Sequence, residues 1–362
     1  MFEDKLMVNK KILAFAYTIL HFLVDLTTIF LVSGTLLGLK VPFLQQCEII
    51  VMYNLIAFAG QLPIGILSDF INKNRVFVAM GCLLAFVAYP FTLVSPWVGC
   101  VLAAIGNGAF HIGAGSDILK FSMPKAGLSG LFVSSGALGV WLAYNLSHQY
   151  VIYILPALML VCSIFMFVLS KKQIIDYVDC SSSIKFKRPK IIPLLAVSFF
   201  MLTIVIRSLL GMVMTFEWKS VAVLSFVSVI AVVLGKALGG YIGDRFGYAK
   251  TAVISLGVSL LLFIFSFDYW VAGIIAILCF NMTMPLTLTA IAGLTNKKYG
   301  FAFGMTTFAL AIGFIPDVFG AGSYFSVPFL LISVGASLIF MVFGYIFEKK
   351  TKAEVKLPDI LC

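Results

Sequence analysis

His21 and Asp25 stand four residues apart in an apolar run, so on a helix they share a face. Tyr17 extends that face by one more turn. If the run crosses a bilayer, Asp25 lies about 20 Å into a core of roughly 30 Å, too deep to reach water. A buried carboxylate beside an imidazole can bind and release a proton, which is the chemistry of coupling to a proton gradient. A polar pair bonded between helices for packing is the other reading. His111, on a glycine-rich segment, could line a cavity or bond a neighbouring carbonyl, and Asp117 reads as a helix-end charge in the headgroup region, paired with Lys120 or a residue of the repeated Gly-x-x-x-Asp motif.

The second half offers Arg207 and Asp317, at similar depths of about 24–26 Å by helical rise. They could form a structural ion pair, or the planar guanidinium could hold a carboxylate or phosphonate. Asp317 also joins Asp25, His21 and His111 as a candidate for proton coupling. Lys236 is a secondary candidate whose long stem could snorkel. Asn281 and Thr283, with Thr287 and Thr289, give a polar stripe around Pro285, which could line a cavity or bond helices together. Tyr17, Arg207, Lys236, Asn281 and Thr283 are the candidates for a substrate cavity.

The elements that position these groups are apolar helices. Of 362 residues 62% are hydrophobic and 11% charged, and mean hydropathy is +1.10. Soluble domains carry about 25% charged residues, so this chain cannot cover an aqueous surface. A net charge of +10 suggests nucleic acid only if the basic residues gather on one face. They are instead scattered between apolar runs, and no nucleic-acid partner is expected. The seven cysteines form no CxxC pair, and no metal site and no cofactor is expected. His21, His111 and His148 fall on different helices at different depths by this counting. With no phosphate loop or nucleophile triad either, an enzyme is not indicated.

Twelve runs of spanning length follow one another, from 11–34 to 329–346. The run starting at residue 11 is too long, and lacks the cleavage pattern, for a removable signal peptide. The polar, basic stretch 171–190 divides them six and six, predicting bundles over 1–170 and 191–347, a linker over 171–190 and a tail over 348–362. With the N-terminus inside, 21 of the 25 Lys and Arg residues fall in cytoplasmic segments. Trp97, Trp218 and Trp270 fall at outer helix ends. The expectation is an all-α protein of the cytoplasmic (inner) membrane with both termini cytoplasmic.

Two helix ends repeat one another. Gly65 and Asp69 in Gly65-Ile66-Leu67-Ser68-Asp69 match Gly240 and Asp244 in Gly240-Tyr241-Ile242-Gly243-Asp244 at one offset, each before a short basic loop. With twelve helices in two sixes, this duplicated Gly-x-x-x-Asp resembles the major facilitator superfamily over the whole chain. The first copy departs from the family pattern, with Phe70 and Asn72 where Arg and Gly are usual. The resemblance implies a conformational latch. Gly65, Asp69 and Arg75, with Gly240, Asp244, Arg245 and Lys250, would hold the halves together at the cytoplasmic side. Each aspartate would face a helix N-terminus of the opposite half.

Phe110-His111 among Gly106, Gly108, Gly113 and Gly115 is similar to the fosmidomycin-resistance branch, although Ile112 stands where a proline is often seen. That likeness implies export in exchange for protons. The expected function is secondary active transport of a small organic solute by alternating access, by a monomer coupled to protons or another ion. A ligand sensor of the same fold, or a facilitative or importing carrier, is the alternative.

Overall fold

The computed structural model describes residues 2–35, 40–146, 148–170 and 191–356. The linker expected over 171–190 lies outside the described residues, as do the side chain of His148 and the end of the tail. Helix α1 is Phe2–Ile29, continued by a π turn over Phe30–Thr35. Then come α2 in two pieces (Phe43–Ala59, Gln61–Ile71), α3 (Asn74–Val94), α4 (Pro96–Ser122), α5 (Gly127–Asn145) and α6 (His148–Ser170). The second series is α7 (Ile191–Val213), α8 (Ala222–Phe246), α9 (Tyr248–Phe263), α10 in two pieces (Trp270–Asn281, Thr283–Leu294), α11 (Tyr299–Val318) and α12 (Val327–Lys356).

Among the described residues, 11 helices are long and apolar enough to cross a membrane, and α9, with 16 residues, is a shorter apolar helix. The last helix runs on through Lys356, past the expected start of the tail at residue 348. The breaks in α2 and α10 have one cause. Pro63 and Pro285 have no N–H for the carbonyls of Ala59 and Asn281, four residues before them, and the ladder parts there.

Burial separates inner from outer helices. The most buried spans are α4 at 78%, α10 at 61% and α1 at 56%, whereas α6 and α12 are at 28%. The three inner helices carry His111, Asn281 with Thr283, and His21 with Asp25, so the costly polar groups are gathered inside the protein rather than facing lipid. Small residues allow this. Gly81 of α3 lies against Gly106 and Phe110 of α4, where any Cβ would meet backbone. At one end of the molecule the loops and helix starts are basic, carrying Lys73, Arg75, Lys125, Lys297 and Lys298. At the other, Trp218 donates its Nε1–H to the Ser266 carbonyl at 2.9 Å and stacks on Phe216.

Candidate functional site

His21 and His111 meet. Their Nε2 atoms are 2.8 Å apart, and both side chains are buried. This corrects the expectation that the histidines lie at different depths. Asp25 stands beside them, with Oδ2 3.2 Å from His21 Nε2 and Oδ1 3.6 Å from His111 Nε2. Asn107, one turn before His111, donates Nδ2–H to Asp25 Oδ1 at 2.8 Å and fixes the carboxylate.

The outer ring nitrogens decide where the protons are. His21 Nδ1 lies 2.7 Å from the Phe132 carbonyl, and His111 Nδ1 lies 2.8 Å from the Asn107 carbonyl. A carbonyl only accepts, so each Nδ1 must carry a hydrogen. A neutral imidazole has one N–H, which leaves two bare Nε2 lone pairs facing each other. Only a proton between them makes a 2.8 Å contact attractive. With one such proton the pair would be an imidazole with an imidazolium, and Asp25 would balance its charge. Because the ligand atoms all lie within 4.8 Å of one another, a metal ion is the other cation such a cluster could take. Geometry favours the proton, since two imidazoles on one tetrahedral metal stand about 3.3 Å apart.

Gly136 of α5 closes the site. A Cβ there would collide with Asp25 Oδ2 and would fall 2.5 Å from His21 Nε2. Gly136→Ala is therefore expected to fold, because a methyl suits a helix, but to displace the His21–Asp25 pair. A reconstituted Gly136→Ala protein should lose gradient-driven accumulation at least tenfold, with little change in amount inserted in the membrane.

Tyr17 does not line a cavity. It is fully buried and donates to Asp117 Oδ2 at 2.8 Å. Asp117 in turn is no headgroup charge: it is 3% exposed and accepts a second bond from Asn74 Nδ2 at 2.8 Å. Asn74 receives Ser68 Oγ–H at 2.9 Å, while Lys120 turns away to Asn72. This buried network ties α1, α4, α3 and α2 together one turn below the histidines.

In the second half Arg207 is 7% exposed, and its Nη1 lies 3.5 Å from Thr283 Oγ1 and 3.3 Å from Thr287 Oγ1. Asp317 is not its partner. Asp317 sits half-buried in the last turn of α11 and makes no ion pair among the described residues. The neighbour of Arg207, Ser208, bonds the Leu310 carbonyl at 2.7 Å, which sets the arginine about two helical turns below Asp317. Lys236 is half-buried, within electrostatic range of both Arg207 and Asp25 rather than drawn to the surface. Asn281 spends its amide on the Ile277 carbonyl of its own helix at 2.8 Å. Arg207, Thr287, Thr306, Met284, Phe303 and Leu310 surround a cavity of about 30 Å³ that Val133 of α5 also walls. That space suits one or two waters, so an organic solute enters only if the helices part.

Both repeated aspartates cap helices of the other series. Asp69 accepts from the backbone N–H groups of Gly300 and Phe301, each at 2.8 Å, at the start of α11. Asp244 accepts from Ala126 and Gly127 at 2.7 and 2.9 Å, at the start of α5. Gly65 lies against the Gly300 carbonyl and Gly240 against that of Ala126, so no side chain fits at either crossing. The basic members behave differently. Arg75 donates to the Leu169 carbonyl of its own half at 3.2 Å, Arg245 lies over the Phe246 ring, and Lys250 is exposed.

No family model and no curated protein matches the sequence. Solved structures do match its shape. The E. coli fucose:proton symporter FucP, a major facilitator superfamily transporter, is 16% identical, with TM-score 0.59 over 91% of this chain and 99% of that one. A bacterial homologue of the iron transporter ferroportin, outward-facing, is 14% identical, with TM-score 0.63 over 95% and 99%. The human organic anion transporter MFSD10 (TETRAN) is 11% identical, with TM-score 0.60 over 94% and 98%. The fold is that of the major facilitator superfamily. On this major facilitator framework α5 touches three of the candidate centres: its N-terminus meets Asp244, its Phe132 carbonyl holds His21, and Val133 walls the Arg207 cavity. Asn107, Gly136 and the Thr306–Thr307 pair were not singled out for chemistry by the sequence. Asn107 had a usable signal, because it stands one turn from His111 on the same face.

Proposed function

We propose that the chain is a secondary active transporter that moves a small organic solute across the cytoplasmic membrane by alternating access, coupled to a proton held between His21 and His111. The 2.8 Å contact between two nitrogens that have no other hydrogen to offer carries the coupling. Asp25 is the counter-ion that keeps the loaded site neutral within the bilayer. The helices of 1–170 rock against those of 191–347, and Asp69 and Asp244 latch the basic, cytoplasmic end between strokes. Export is what the fosmidomycin-resistance likeness implies, and an importing carrier would use the same parts under the opposite gradient.

Counterflow in proteoliposomes with a solute panel, run with and without a pH gradient, tests the reading. Exchange of label, and accumulation only with the gradient, are expected. A sensor of this fold binds without exchanging label. For orientation, cysteines placed at Lys40, Ser220 and Ser323 should react with an impermeant reagent from outside, and those at Lys73 and Asn296 only from inside. The opposite pattern at Lys73 would overturn the topology.

A further inference from the structure

The second series of helices carries two cations in its interior and, among the described residues, no acid of its own beside them. Among the described residues, its acidic side chains all sit in turns or towards helix ends. Glu217 lies in a turn after α7, Asp268 in the turn after α9, Asp317 in the last turn of α11, and Asp244 caps α5. Glu348 pairs with Lys352. Among the described residues Arg207 meets only two threonine hydroxyls, at distances of 3.3 Å and more, although it is 7% exposed. Lys236 makes no hydrogen bond or ion pair among the described residues, and Asp25, the carboxylate whose charge reaches it, is already committed to the two histidines. A guanidinium placed at such depth without a counter-ion costs stability. The cavity it lines also offers apolar side chains, Met284, Phe303 and Leu310, and hydroxyls, those of Thr287, Thr306 and Thr307.

We propose that Arg207 and Lys236 bind the head group of an organic anion, a carboxylate or phosphonate, whose apolar body lies against Met284, Phe303 and Leu310. This rests on the transporter reading above and names the substrate class of that central site. The guanidinium offers a planar fork of donors to two oxygens at once, and the ammonium adds a second charge from α8. The threonine hydroxyls can donate to a third oxygen. The bound anion supplies the negative charge that the second half lacks.

The test uses the full chain in nanodiscs, with benzoate, phenylphosphonate, benzamide and benzylamine as probes of matched shape and different charge. Benzoate or phenylphosphonate should raise the melting temperature, whereas benzamide and benzylamine should not. Arg207→Met should itself melt several degrees higher without ligand, because an unbalanced buried cation is gone, and should bind the anions at least tenfold more weakly. Lys236→Met should act in the same direction. The proposal is overturned if neither anion stabilises the protein, if the neutral or cationic probe stabilises it as much, or if both variants melt lower than the parent. Counterflow of labelled benzoate separates the two readings. Anions that bind without exchanging would sink the transporter and leave the anion site standing. Exchange of the neutral or cationic probe alone would do the reverse.

Discussion

Asp25→Asn is expected to abolish accumulation against a gradient while leaving exchange of solute across the membrane measurable. Alternating access needs only the two halves to rock, whereas coupling needs a group that loads and unloads a proton. In the proposed mechanism that proton is held between His21 and His111, whose Nε2 atoms are 2.8 Å apart, and Asp25, 3.2 Å from His21 Nε2, balances it. Removing the carboxylate leaves an unbalanced charge in the membrane interior, at a cost of about 3 kcal/mol. Occupancy by the proton should then fall on the order of a hundredfold. His21→Gln and His111→Gln should lose accumulation to the same degree. From sequence alone His21→Gln would only shift the pH optimum, because His21 read as a neighbour of the titrating group; the geometry makes it half of the site. The measurement is accumulation and counterflow in the same proteoliposomes. If Asp25→Asn accumulates solute as well as the parent, the cluster is structural.

Neutralising both caps should produce the second large effect. Asp69 and Asp244 each accept two backbone N–H groups at the start of a helix from the other half. A carboxylate so placed contributes about 1 kcal/mol when exposed and up to ~2 kcal/mol when partly buried. Asp244 is exposed and Asp69 half-buried, so together they bias the equilibrium by about 3 kcal/mol, on the order of a hundredfold. Asp69→Asn with Asp244→Asn should open the basic end. A cysteine at Thr289, buried on α10 against Ser129 of α5, should become reactive from that side. The single variants should lie between parent and double variant. An unreactive cysteine in the double variant would reduce both aspartates to helix caps without influence on access.

Much of this was legible in the chain. Runs of some twenty apolar residues can only be helices in lipid, and the Gly-x-x-x-Asp repeat marks the crossings with Gly300 and Ala126 because close approach needs glycine. The meeting of His21 and His111 was not. Depth was counted from helix starts, but α4 has 27 residues and is about 40 Å long, well beyond the core it crosses. Counting from either end therefore misplaces His111. Arg207 and Asp317 failed because of packing: the contact of Ser208 with Leu310 fixes the register of α7 on α11, and no periodicity reports it. Gly136 drew no reading of its own from the sequence. Its neighbour is the Asp25 carboxylate, which only the tertiary structure supplies.

The central claim is that one proton is shared by two buried imidazoles, and nitrogen NMR on histidine-labelled protein in nanodiscs reads it without knowledge of the substrate. With three histidines in the chain, His148→Gln leaves only the pair to observe. Both Nδ1 atoms should be protonated throughout the titration, held by the Phe132 and Asn107 carbonyls, and the two Nε2 atoms should lose a single proton in one step. Asp25→Asn should remove that step. A spectrum in which either imidazole keeps its hydrogen on Nε2 with a bare Nδ1, or in which the two rings titrate independently, would contradict the account.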